Sequence, residues 1–316
     1  MKKRILGFFL VLVMSLCALG GCGDTEQGKD ENKEEKYSLR LMSNNVWSCD
    51  TNSGAWQAIG YDCSASVRAE GFLKVYQETS PDVIGMQECT VLMKDEITSN
   101  LAEAGLTYSV IEGGHTPIFY RSDKLEVVET TFEQYPEAVP GYEGSFNNGQ
   151  TKSWNVAVFK IKETGDNFIF LNTHLWWKSS SPGSNNYQEG SDEARKYQLG
   201  IAIGKIKEYQ ETYKCAAILV GDLNAEYKSI GLEYAFEEGF KHGHDIAVDY
   251  VDETCGMHEC TTAGFGPIRP GTFEEAIDHI LINGAEEGAV RRFERYSPQY
   301  YVSLSDHSPV YIDMEF

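Results

Sequence analysis

The chain contains no apolar run long enough to cross a membrane, no surplus of basic residues and no cysteine spacing of the structural zinc kind. Its longest apolar stretch, Ile5 to Leu19, falls short of the ~20 residues a spanning helix needs. Lys2, Lys3 and Arg4 precede that stretch, and Leu-Gly-Gly closes it just before Cys22. Residues 1–21 therefore read as a lipoprotein signal peptide, with Cys22 as the lipid-modified start of the mature chain. Lysines and arginines number 27 against 48 aspartates and glutamates, a formal charge of −21 that repels polyanions. Tight, nonspecific nucleic-acid binding draws on basic patches, so this balance argues against it.

An internal repeat and a second linker are also lacking. Residues 22–36 continue from the cysteine as GDTEQGKDENKEEK, with no apolar side chain to bury, and read as a solvated tether between lipid and domain. Residues 37–316 are expected to form one domain. Six cysteines remain beyond the anchor: Cys49, Cys63, Cys89, Cys215, Cys255 and Cys260. An even set outside the membrane invites disulfides, Cys255 with Cys260 and Cys49 with Cys63 being local pairs, although free thiols fit as well. His258 between Cys255 and Cys260 gives only three zinc-type ligands, too few for a structural site.

Periodicity supplies the elements. Leu39, Leu41 and Ser43 to Val46 predict an opening strand, Ser66 to Thr79 a helix stopped by Pro81, Asp82 to Cys89 a short strand and Val91 to Ala104 a second helix. Strand-like runs follow at Thr107–Ile111, Pro117–Arg121, Leu125–Phe132, Trp154–Ile161 and Asn167–Thr173, and they predict a β meander. Ser179 to Ser191 is a polar loop, Glu193 to Tyr213 a helix and Ala216 to Val220 a buried strand. Ala276–Ile282, Ala289–Phe293 and Val310–Met314 complete an α+β pattern, a four-layer α/β/β/α sandwich of two packed mixed sheets flanked by helices.

Polar residues recur at the ends of these strands: Asn45, Glu88, His174, Asp222, Asn224, Asp278, Asp306 and His307. Singly, each is as well explained by a turn or a satisfied core histidine. Taken with their flanks they resemble the endonuclease/exonuclease/phosphatase superfamily. The resemblance is carried by SNNVW at Ser43–Trp47, DVIGMQEC at Asp82–Cys89, PIFYRSDKL at Pro117–Leu125 and NTHLWW at Asn172–Trp177. LVGDLNAE at Leu219–Glu226, IDHILI at Ile277–Ile282 and SDHSPV at Ser305–Val310 complete it, all seven in the family's order.

The resemblance implies a hydrolase of phosphoric mono- or diesters that uses Mg²⁺ or Mn²⁺. Glu88 is a hard oxygen ligand, and by resemblance Asn45 and Asp306 complete or support its metal site. His307 pairs with Asp278 in the family pattern, and Asp222 with Asn224 holds a water between them. Two apart in an extended chain, Asp222 and Asn224 would face one side, and either Asp222 or His307 serves as base. His174 is expected to donate a hydrogen bond to the scissile phosphate.

Two departures from the nuclease pattern bear on substrate. Thr261 to Phe273 carries no evident basic substrate loop, and Trp176 and Trp177 directly follow His174, as a stacking wall or as buried core. Tyr120 and Arg121 stay outside the predicted site, as do His242, His244 and Asp245. The expected protein is a monomeric phosphoester hydrolase on the extracytoplasmic face of a bacterial membrane, held there only by its lipid. Small phosphoesters are favoured over nucleic acid. A secreted nuclease, a sphingomyelinase-like phospholipase and an inactive surface binding module are the alternatives. The binding module would be marked by loss of Glu88, Asp222, Asp278 or His307, and none is lost.

Overall fold

The computed structural model describes residues 36–51, 60–251, 260–261, 264–265, 276–296 and 298–316. Cys22, Cys255, His258 and most of Thr261 to Phe273 lie outside the described residues. In chain order the strands are β1 (Ser38–Asn45), β2 (Val83–Gln87), β3 (Tyr108–Ile111), β4 (Ile118–Arg121), β5 (Leu125–Gln134), β6 (Ser153–Ile161), β7 (Asn167–His174) and β8 (Ala217–Asp222). There follow β9 (Lys241–His242), β10 (Asp249–Val251), β11 (Cys260–Thr261), β12 (Gly264–Phe265), β13 (Asp278–Asn283), β14 (Val290–Arg295) and β15 (Val310–Glu315). The helices are α1 (Ala65–Thr79), α2 (Val91–Glu103), α3 (Ser191–Tyr213), α4 (Ile230–Glu237) and the single turn α5 (Gly243–Ile246).

A seven-stranded sheet, ordered β10-β14-β15-β1-β2-β4-β3, packs on a six-stranded sheet, ordered β5-β6-β7-β8-β13-β9. The run from β3 to β7 is therefore not one meander: β3 and β4 close the edge of the first sheet, and β5 opens the second. Both stretches alternate alike along the chain, and only the partner each finds assigns its sheet.

Alternation places side chains on opposite faces of β1. Leu39 and Leu41 enter the layer between the sheets with Val220, Ile280, Phe159 and Ile312, while Met42 packs outward on Phe72 and Val75 of α1. On the far side, Leu199, Ile203 and Ile206 of α3 cover Val158, Ile169 and Leu219. Each fully buried aliphatic or aromatic side chain contributes ~1.5–3 kcal/mol. These three apolar layers therefore dominate stability, since a net internal hydrogen bond adds only ~1 kcal/mol.

Near one end the inter-sheet layer changes from apolar to polar. Gln87 Nε2 donates to Asn172 Oδ1 at 2.6 Å and to Ser43 Oγ at 3.1 Å, and Asn172 Nδ2 donates to Met86 O at 2.7 Å. Such bonds fix register more than they stabilise. Gly85 allows the close approach, because a Cβ there would sit 2.7 Å from Val220 Cγ2 and 2.8 Å from Asn172 Cγ. Directly beyond this polar floor lie the ends of β1, β2, β7 and β8.

Candidate active site

Strand pairing brings the predicted residues to one end of the sandwich. His174 is the register partner of Asp222 across β7 and β8, and Asp278 is the partner of Asp222 across β8 and β13. Asn45 ends β1, and Glu88 follows β2 beside it. Asp306 and His307 sit on the segment leading into β15, where Ser305 Oγ donates to Asn45 O at 2.7 Å and accepts from His307 N at 3.1 Å. A pocket of about 370 Å³ opens here, with Glu88, His174, Asp222, Asn224 and His307 in its wall.

His307 lies between two carboxylates, Nδ1 being 2.7 Å from Asp278 Oδ2 and Nε2 3.8 Å from Asp222 Oδ2. Burial disfavours a charged imidazole, yet Asp278 and Asp222 overcome it and raise the His307 pKa well above the usual histidine value. Burial pushes the Asp278 carboxyl up, to about 6, while His307 pulls it down. One proton serves this pair. It belongs on His307, which faces two carboxylates where Asp278 faces one imidazole. Asp222 is held well below the carboxylate range: burial opposes ionisation, but His174, His307 and Lys152 win.

Asn224 reaches the site differently from the extended chain expected of it. β8 ends at Asp222, and Asn224 adopts a left-handed backbone, φ 48°, returning its N–H to Asp222 Oδ1 at 2.9 Å. Its Nδ2 donates to Leu175 O at 3.1 Å, and its Oδ1 is an acceptor on a residue that lines the pocket. Glu88 is also left-handed, φ 54°, a conformation that costs ~1–2 kcal/mol in a non-glycine residue. Strain of this kind accumulates where geometry serves a site.

Glu88 Oε2 accepts from Ser48 N at 3.0 Å and Ser48 Oγ at 2.8 Å, while Oε1 has only a long contact, 3.4 Å, from Asn45 Nδ2. Asn45 Oδ1 accepts from Trp47 N, so its amide nitrogen faces both Glu88 and Asp222, the latter at 3.0 Å. Asn45 thus supports the carboxylates from behind. Asp306 Oδ1 is buried without a hydrogen-bond partner, and burial together with nearby Glu88 raises its pKa. An orphaned carboxylate oxygen within electrostatic reach of a half-satisfied one fits a hard divalent cation, which takes one or two protein carboxylates and keeps several waters. Glu88, His174 and Asp222 also offer ligand atoms within 4.8 Å of one another, as do Asp222, Asp278 and His307. The first set is disfavoured by the Lys152 ammonium 2.5 Å from His174 Nε2, and the second by the proton on His307.

Lys152 is the residue that sequence reasoning missed. It is buried immediately before β6, lines the pocket and contacts His174, yet in the sequence it is one lysine in a polar loop. Burial lowers its pKa to about 8, against Asp222 and Glu88, and lowers that of His174 as well. Ser48 and His115 on the pocket wall were missed too.

The two tryptophans divide: Trp176 is buried edge-on to Phe146, and Trp177 is 46% exposed on the pocket wall. Tyr120 packs on Phe159 and Arg121 pairs with Asp123, away from the pocket. His242 is buried against His279, and Asp245 accepts from Tyr227. Cys49 is a free thiol, so of the two readings open for Cys49 with Cys63, disulfide or free thiols, the disulfide is not formed in this structure.

The family model described as Endonuclease/Exonuclease/phosphatase family matches residues 45–307. An endonuclease/exonuclease/phosphatase from Bacteroides vulgatus superposes with a TM-score of 0.68 at 22% identity, over 89% of this chain and 100% of that one. The mannosyl-6-phosphatase of Bacteroides thetaiotaomicron VPI-5482 gives 0.67 at 22%, over 88% and 100%. TDP2 of D. rerio, in complex with a single-strand DNA product, gives 0.57 at 17%, over 87% and 98%. Among curated proteins, none matches.

Proposed function

Because this chain belongs to the endonuclease/exonuclease/phosphatase family, whose members hydrolyse phosphoesters, we propose that it is a divalent-metal-dependent hydrolase of small phosphoesters working outside the cell. One observation carries the reading: a carboxylate held ionised, Asp222, and an imidazole held protonated, His307, face each other at 3.8 Å in one pocket. Hydrolysis needs one group to take a proton from water and another to give one to oxygen. Two neighbours whose surroundings drive their pKa values apart meet that need.

Asp222 accepts the proton of a water that Asn224 Oδ1 orients. His307, its Nδ1 proton engaged by Asp278, offers Nε2–H to the phosphoryl or leaving oxygen. His174 adds a second donor to the phosphoryl group. Glu88 and Asp306 would hold Mg²⁺, or Mn²⁺, with Asn45 behind them, and that ion when bound neutralises charge on the phosphoryl oxygens.

The preference for small substrates rests on the charge of −21 and on a pocket of about 370 Å³, within the range of small-ligand sites. Trp177 offers a half-exposed aromatic face for a sugar ring, and the mannosyl-6-phosphatase among the structural neighbours acts on a phosphorylated sugar. The test is a panel of hexose 6-phosphates, nucleotides, bis-p-nitrophenyl phosphate and plasmid DNA, each with Mg²⁺, Mn²⁺ or chelator. Metal-dependent turnover of the small esters is expected. Turnover indifferent to chelation, or plasmid degradation faster than any small ester at physiological salt, would overturn the reading.

The extracellular, lipid-anchored placement rests on residues 1–36 of the sequence alone. Cys22→Ala is expected to abolish incorporation of radiolabelled palmitate, and continued labelling would contradict the anchor.

A further inference from the structure

Lys152 and His174 share a contact that cannot satisfy both of them. Lys152 Nζ lies 2.5 Å from His174 Nε2, and the same nitrogen lies 3.3 Å from Asp222 Oδ2. If Nε2 accepts from the lysine, the imidazole proton sits on Nδ1, which is buried without a partner. If Nε2 instead carries the proton and donates to Asp222, the lysine loses its acceptor. Among the described residues no carboxylate lies within 4.0 Å of Lys152 Nζ, so one tautomer leaves the buried His174 Nδ1–H unmet and the other leaves the ammonium facing the pocket without a protein acceptor. Unmet buried donors are costly, and more so when charged.

The arrangement is also built rather than accidental. Asn147 Oδ1 accepts from Lys152 N at 2.9 Å, and Asn147 Nδ2 donates to Lys152 O at 2.9 Å and Tyr135 O at 2.8 Å. The next residue, Ser153, is the β6 register partner of His174. Backbone and ladder therefore fix the lysine beside the histidine, in the pocket wall.

We propose that Lys152 and His174 together form the receptor for a terminal phosphate oxygen, and that this receptor makes the enzyme a phosphomonoesterase. The inference rests on the phosphoester-hydrolase reading and narrows it to dianionic monoesters. An anionic oxygen bridging the two from the pocket side, with Lys152 Nζ drawn off its 2.5 Å contact, resolves the conflict, accepting from Lys152 Nζ and from His174 Nε2–H at once. A monoester keeps three unsubstituted oxygens and a charge of −2. A diester has one of them alkylated and a charge of −1, which halves the attraction to a buried ammonium. A diester still offers two unsubstituted oxygens, so the discrimination comes from the second negative charge that only the monoester brings to the ammonium.

The experiment compares p-nitrophenyl phosphate with bis-p-nitrophenyl phosphate in wild type, Lys152→Met and Lys152→Arg, with Mg²⁺ present. Lys152→Met is expected to lower kcat/KM for the monoester about 100-fold and for the diester less than about fivefold. Lys152→Arg is expected to recover part of the monoester activity, a rescue that a purely packing role would not give. Inorganic phosphate binding, followed by calorimetry, is expected to weaken at least about tenfold in Lys152→Met. Equal losses on both esters, or unchanged phosphate binding, overturn the proposal. If wild type hydrolyses neither ester nor any hexose 6-phosphate or nucleotide, the hydrolase reading fails on its own. Phosphate binding then still decides whether Lys152 belongs to an anion receptor.

Discussion

Asp278 and His279 are adjacent on β13, and the strand turns them to opposite faces, one toward the pocket and one into the protein. At the pocket end Asp278 meets His307, and the imidazole is held protonated. Behind it His279 Nε2 donates to Ala225 O at 2.7 Å, and its Nδ1 is 3.0 Å from His242 Nε2. There burial and neighbouring Arg295 lower the His279 pKa to about 3, and His242 is likewise driven well below the histidine range. Both regions are buried, so burial does not decide the charge. The partner decides it: carboxylates on one side, another imidazole and a carbonyl on the other. The first pair is arranged for proton transfer and the second for tying strand β9 to the loop after β8.

The largest effect that would break this contrast belongs to His307. His307→Ala is expected to lower kcat at least about 1,000-fold on a small phosphoester while leaving the far-ultraviolet circular dichroism unchanged. A loss below tenfold would place the general acid elsewhere.

Asp278→Asn comes next, with an expected loss of about 100-fold at neutral pH. His307 owes its raised pKa first to Asp278, so removing that carboxylate lowers it. Activity that needs the imidazolium is then lost at lower pH, and the basic limb of the rate profile moves toward neutrality. An unmoved basic limb would uncouple His307 from Asp278.

Acid stability separates the regions from another direction. Lys152 and His174 hold the Glu88 carboxyl, despite its burial, at about 2. A depressed folded pKa stabilises the protein above the unfolded value, and that stability is lost as pH falls through ~4.5 toward ~2. In metal-free protein the loss is expected to reach up to ~3 kcal/mol, and Glu88→Gln should flatten it. Urea melts of both proteins across that range measure the difference, and parallel curves would refute it.

The smallest expected effect lies behind the pocket. His242→Phe is expected to lower stability by ~1–3 kcal/mol through the partner it leaves at His279, with activity of the folded enzyme within about twofold. A large fall in kcat at unchanged stability would bring the imidazole pair into the mechanism.

Much of this contrast was legible in the sequence, and the part that was not has physical causes. The strand and helix order was readable because Leu39 and Leu41 alternate and Leu199, Ile203 and Ile206 recur at helical spacing. Asp278 and His307 were readable as a pair only through the family motif, since 29 residues separate them. The assignment of β3 and β4 to one sheet and β5 to the other was not, because local alternation is the same in both. Nor was the left-handed turn at Asn224, which a two-residue spacing after a strand disguises as extended chain. Lys152 gave no signal at all: its role depends on Asn147 and on the β6–β7 register, neither of which a residue type reveals. The split between buried Trp176 and half-exposed Trp177 follows from where β7 ends, a boundary sequence patterns place poorly.

The most direct test of a water held by Asp222 and Asn224 attacking phosphorus is hydrolysis of p-nitrophenyl phosphate in ¹⁸O-labelled water. The expected result, read by mass spectrometry after single turnover, is one labelled oxygen in the inorganic phosphate and none in the alcohol. Label in the alcohol, or none in the phosphate, would contradict it.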